Sequence, residues 1–96
     1  MKKTFTLVHP KIKAARLAET IRSDIRKYVK RERRRKLPEG SDFWDFDCKY
    51  GDTEAEAKVV HLAELGKYVQ QAEKEERESF YIEILVKPAK RTKKPT

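Results

Sequence analysis

The residue order predicts an α+β fold, one antiparallel sheet with two helices on one face. Three observations lead there. Short stretches near the start, middle and end of the chain alternate apolar and polar residues. Two longer stretches repeat apolar residues at three- and four-residue steps. Breakers separate them: His9-Pro10, Leu37-Pro38-Glu39-Gly40, Gly51-Asp52-Thr53 and Pro88.

Lys3 to Val8 alternates, with Phe5 and Leu7 on one face and Thr4 and Thr6 on the other, and reads as a short strand. His9-Pro10 ends it. Pro10 suits the first turn of a helix, where its missing N–H is no loss. Ala14, Leu17, Ala18, Ile21, Ile25, Tyr28 and Val29 then form one apolar stripe of an α-helix. No apolar residue follows Val29 until Leu37. The run Lys30-Arg31-Glu32-Arg33-Arg34-Arg35-Lys36 therefore has no core to pack on, and is expected to project from the body as a helical extension or frayed end. Leu37 to Gly40 stops it with turn chemistry.

Phe43 to Tyr50 alternates again. Trp44, Phe46, Cys48 and Tyr50 point one way, Phe43, Asp45, Asp47 and Lys49 the other, as in a half-buried strand. Residues 58–62 read as a third strand in a hairpin with the second, or equally as the first turn of the next helix. Leu65, Tyr68, Val69 and Ala72 have helical spacing, and that helix frays through Glu73 to Glu76. Ser79 to Lys87 is the last strand, with Phe80, Ile82, Ile84 and Val86 inward and Tyr81, Glu83, Leu85 and Lys87 outward. Pro88 ends it. The expected organisation is one domain over residues 1–88 and a disordered basic tail over 89–96.

The resulting order, β-α-β-β-α-β, is the ferredoxin-like pattern; without the third strand it shortens to β-α-β-α-β. In the usual ferredoxin-like sheet the second and fourth strands are opposite edges. Either way Phe5, Leu7, Trp44, Phe46, Phe80, Ile82 and Ile84 should pack under Leu17, Ile21, Ile25, Leu65 and Val69.

Composition narrows the function classes. The chain has 96 residues, 38% hydrophobic and 42% charged, with 24 Lys and Arg against 16 Asp and Glu, net +8. The charge is segregated: residues 1–40 carry 14 basic and 4 acidic side chains, residues 41–87 carry 6 and 12, and residues 88–96 carry 4 and none. A polyanion would meet the front and the tail, not the acidic body. Apolar runs of about four residues are too short for a membrane-spanning helix. The start lacks the apolar core of a signal peptide, so a cytoplasmic protein is expected. A single cysteine excludes an internal disulfide and a cysteine-based zinc cluster.

No catalytic constellation emerges. Asp45 and Asp47 share one strand face and invite a metal reading, but Gly51 is misplaced for a calcium loop. Glu83, on an opposite edge, would lie roughly 14 Å away, three strand spacings. The carboxylates are expected to be solvated, with no metal bound. Cys48 shares a face with Trp44 and Phe46 and reads as a core thiol, with no activating spacing to His9 or His61. Gly40, Gly51 and Gly66 do not cluster into a phosphate loop. The expectation is a non-enzymatic protein without cofactors.

What remains is the basic helix. Arg22, Arg26, Lys30 and Arg33 recur at four- and three-residue steps and can line a phosphate track; Lys27, Arg34 and Arg35 add to it, and Lys90, Arg91, Lys93 and Lys94 of the tail can wrap as a flexible arm. The expected central strands would present Thr4, Thr6 and His61 on the open face, flanked by Asp45, Asp47 and Glu83. An anionic sheet face repels RNA, so nucleic acid or a ribonucleoprotein would bind through helix and tail. The alternative partner is an acidic protein. A membrane role is set aside, because the apolar stripe is needed for the core.

The chain resembles a family of small bacterial proteins known only as a domain of unknown function. The resemblance rests on Lys2-Lys3-Thr4-Phe5 with His9-Pro10-Lys11, on Leu37-Pro38-Glu39-Gly40 running into Phe43-Trp44-Asp45-Phe46-Asp47-Cys48, and on Ser79-Phe80-Tyr81 through Lys87-Pro88. It implies a bacterial, cytoplasmic protein and carries no activity or site over.

Overall fold

The computed structural model describes residues 1–91. Strand β1 (Lys2–Thr6) leads to helix α1 (Ala14–Arg33), a hairpin of β2 (Phe43–Gly51) and β3 (Lys58–Val60), a 3₁₀ turn at Leu62–Glu64, helix α2 (Leu65–Lys74) and strand β4 (Ser79–Ala89). The class is α+β with the expected β-α-β-β-α-β order. Both helices lie on one face of a single antiparallel sheet. Ala18, Ile21, Ile25 and Val29 of α1, with Leu65, Val69 and Ala72 of α2, share a core with Phe5, Phe46, Phe80, Ile82 and Ile84. Leu17 and Trp44 pack at its margin, only partly buried.

The spatial order of the strands is β1-β4-β2-β3, so β2 and β4 are central neighbours rather than opposite edges. Length decides this. β2 has nine residues and β4 eleven, and their pairing runs unbroken from Phe43 opposite Ala89 to Gly51 opposite Tyr81. Placing the two longest strands side by side pairs both along their length, and leaves five-residue β1 and three-residue β3 as short edges.

The phase of the ladder explains why Pro88 does not end β4. Met1 and Ile84 exchange two hydrogen bonds, the Met1 amine donating to the Ile84 carbonyl (2.6 Å) and the Ile84 N–H to the Met1 carbonyl (2.7 Å). In an antiparallel ladder such pairs alternate, so even-numbered residues of β4 turn their backbone groups toward β1 and odd-numbered ones toward β2. Pro88 is even-numbered and lies beyond the reach of β1. Its missing N–H costs no bond to β2, and the strand continues to Ala89. By the same alternation Trp44, Phe46, Cys48 and Tyr50 turn their backbone groups toward β3. Since β3 pairs only with Cys48, Lys49 and Tyr50, the edge at Trp44 and Phe46 is uncovered.

Residues 58–62 combine both expected readings, three residues of strand followed by a 3₁₀ turn into α2. Pro10 does not open α1. His9 accepts a bond from the Lys11 N–H in a turn, and the helix starts at Ala14. The second helix does not fray through Glu76: it stops at Lys74, Glu76 takes a left-handed φ of 55°, and the Arg77 side chain is clamped between Asp52 and Glu75.

Gly51 is the tightest point of the hairpin. A Cβ there would lie 2.6 Å from the Ala57 Cα and 2.8 Å from its nitrogen, both backbone atoms that cannot swing aside. At Gly66 a Cβ would meet only the Arg22 side chain, at 3.8 Å. Gly51→Ala is therefore expected to destabilise by about 1–3 kcal/mol, while Gly66→Ala in α2 is expected to be neutral or stabilising. Paired thermal or denaturant melts read the contrast; equal effects would contradict the close approach.

Candidate nucleic-acid interface

Unequal helix lengths create the site. At 1.5 Å per residue the twenty residues of α1 span about 30 Å and the ten of α2 about 15 Å. Gly66, near the start of α2, sits beside Arg22, and Tyr68 stacks on Tyr50 with ring centroids 4.9 Å apart. So α2 accompanies only the first half of α1. Beside the second half the sheet is uncovered, and a groove of about 1410 Å³ opens there.

Its helix wall carries Arg22, Arg26, Lys30, Arg33 and Arg34, and buried Ile25, Val29, Phe46 and Cys48 border its floor. Val60, His61 and Leu62 form the far lip. Five predicted binding residues thus meet on one wall. Arg22 is partly buried, and its Nε is shielded from water without a hydrogen-bond partner among the described residues. A donor in that state favours any acceptor that enters.

The basic end of α1 does not project. Its seat lies outside the run itself, on two aromatics of β2. The Arg33 guanidinium stands 5.5 Å over the Phe46 ring and that of Arg35 5.9 Å over Trp44. The Trp44 indole N–H donates to the Arg35 carbonyl (2.9 Å), and Arg35 pairs with buried Glu32 (2.9 Å). Each cation–π contact is worth about 0.5–1 kcal/mol at an exposed site.

The other expected binding residues lie elsewhere. Lys27 borders a separate depression on another face of α1, with Lys13, Arg16 and Asp24. Lys90 lies near the Gly40 turn, and the Arg91 N–H donates to the Asp42 carboxylate (2.9 Å). Both are at the same end of the molecule as Trp44, which pairs with Pro88. Lys93 and Lys94 fall outside the described residues.

The open sheet face also differs from expectation. Its central strands carry Tyr81, Glu83, Leu85 and Lys87 beside Asp45, Asp47 and Lys49, not Thr4, Thr6 and His61. Glu83 is directly opposite Lys49 rather than three strand spacings from β2. The acids have local partners. Asp47 pairs with Lys87 (2.9 Å), and Asp45 accepts the Phe46 N–H (2.9 Å). Glu83, 7% exposed, accepts from the Tyr81 hydroxyl (2.9 Å) and has Lys2 at 4.0 Å. Burial, then the Glu83 bond, pushes Tyr81 up to about 12. Among the described residues no group of three metal-ligating side chains forms, and no helix is long and apolar enough to cross a membrane. Glu19, Asp45 and Asp47 reach the groove rim, so the site is predominantly rather than wholly basic.

A family model described as Family of unknown function (DUF6172) matches residues 1–96. No curated protein and no solved structure matches the chain.

Cys48, at the groove floor, is 1% exposed, and burial first, then Asp47 and Asp45, pushes its thiol up to about 11 from 9.0. The protonated thiol is no nucleophile near neutrality. A raised folded value means the folded chain holds its proton where the unfolded chain has lost it. The associated stability is complete below about pH 9 and is lost as pH rises toward 11, with Tyr50 and Tyr81 shifted in the same direction. Denaturant midpoints are expected to fall over that window, and less steeply in Cys48→Ala. A thiol reagent at about pH 8 should label Cys48 only after unfolding; rapid native labelling would contradict its burial.

Proposed function

Because the chain belongs to the family of unknown function DUF6172, which supplies no activity, we propose from its own residues a non-enzymatic protein of the bacterial cytoplasm. It binds nucleic acid or a ribonucleoprotein through the second half of α1, with Lys90 and Arg91 assisting. One observation carries this reading: Arg22, Arg26, Lys30, Arg33 and Arg34 share a wall of the groove that α2 leaves open. Four-residue steps on a helix advance about 6 Å, comparable to the separation of successive phosphates along a strand. Such contacts fix position without reading sequence and weaken steeply with salt. The lone free thiol suits a reducing compartment.

A second reading has its own observation. The uncovered β2 edge at Trp44 and Phe46 borders the groove, and an acidic segment can add there as a strand. It is the weaker reading, because the Asp45 carboxylate already occupies the Phe46 N–H.

Position can be separated from net charge. The variant Arg26→Gln/Lys30→Gln/Arg33→Gln alters the groove; Lys13→Gln/Lys27→Gln/Arg31→Gln alters charge equally elsewhere. With mixed RNA and DNA oligomers at about 50 mM salt, the groove variant is expected to lose binding. Its log K against log salt should flatten by about 2–3, roughly one per phosphate contact, while the control changes little. Absence of binding by the unaltered chain, or equal losses in the two variants, refutes the proposal. Capture from lysate that survives nuclease favours the acidic partner.

A further inference from the structure

We infer that the groove takes a single strand of nucleic acid and not a duplex, an inference that rests on the nucleic-acid reading above. Three features of the groove carry it.

The first is shape. The cations stand on the inner wall of a recess, beside buried Phe46, Cys48, Ile25 and Val29. A duplex is a convex rod with its phosphates on the outside. It is read by an element that protrudes into a major groove about 12 Å wide. The second half of α1 cannot protrude in this way, because Ile25 and Val29 tie it to the sheet and its cationic flank faces the recess. A single strand is narrow enough to lie along that flank.

The second is the division of the lining into two kinds of surface. Arg22, Arg26, Lys30 and Arg33 are on one side; Val60, His61 and Leu62 are on the other, with Trp44 at one end. A single strand has the same division, charged backbone on one side and uncharged base faces on the other. Single-strand binders pair a basic track with a base-stacking surface for this reason. In a duplex the base faces are stacked on one another and cannot reach such a surface.

The third is the strand edge. The backbone N–H and C=O of Trp44 and the C=O of Phe46 point to the β3 side of β2, where β3 has already ended. They are available to the donors and acceptors of unpaired base edges. A duplex holds those edges in base pairs.

Trp44 is the chain's only tryptophan, so intrinsic fluorescence reports on the groove directly. The whole chain is titrated with single-stranded RNA, single-stranded DNA, duplexes of equal length and poly-glutamate. Single strands of either sugar are expected to bind about tenfold or more tighter than duplex and to shift Trp44 emission. His61→Ala, at an exposed position, is expected to weaken single-strand binding several-fold with the salt slope unchanged, since it removes a base contact and no phosphate contact. Duplex binding as tight as single-strand binding overturns the inference, as does saturation without any change in Trp44 emission. In either case the broader nucleic-acid reading survives. Poly-glutamate saturation with no response to any nucleic acid overturns both.

Discussion

The pairing of β2 with β4 is the constraint on which the rest of this structure depends. Nine consecutive residue pairs join two strands that are far apart in sequence, and neither β1 nor β3 spans that length. The central ribbon consequently extends past both edge strands at its Phe43–Ala89 end. A helix of twenty residues is needed to cover it, and α1 supplies one; α2, with ten, covers only the Tyr50 end. The groove follows from the mismatch between the two helices above the ribbon.

Charge and packing are reconciled at the end of α1 by an economical device. A helix that must cover an extended ribbon with cationic residues cannot bury them. Arg33 and Arg35 instead set their guanidiniums over the Phe46 and Trp44 rings, and Glu32, paired with Arg35, neutralises part of the field. The aromatic surface is shielded while the charges stay at the solvent boundary. Arginines held against rings also lose less freedom on meeting a ligand than free ones.

Much of this was legible in the residue order. The two periodicities identified both helices, three of the four strands and nearly all of the core, because burial of one face imposes them directly; the short β3 stayed open between strand and helical turn. Strand neighbours were not legible. Alternation fixes which face a residue occupies and carries no record of which strand lies beside it, so Glu83 was expected far from Asp45 and Asp47. Pro88 misled for a related reason: whether a proline ends a strand depends on which side its missing N–H would face. The run from Lys30 to Lys36 gave no hint of its seat, since Trp44 and Phe46 lie in the next element and cation–π contacts have no period. Of the candidate site, the four-residue steps of Arg22, Arg26 and Lys30 could be read directly. Lys27 follows Arg26 by a single residue, about 100° round the helix, and so faces the separate depression rather than the groove.

The exposed end of the ribbon bears on solubility. Two long, partly apolar strands with uncovered edges are a template on which further copies of the chain can stack without limit. On the β4 edge, Pro88 has no N–H to offer an incoming strand. On the β2 edge, the Asp45 carboxylate occupies the Phe46 N–H and sets a negative charge in the path of approach. A proline and an aspartate, opposite each other across the ribbon and one position out of register, thus each take one backbone donor away from an incoming strand.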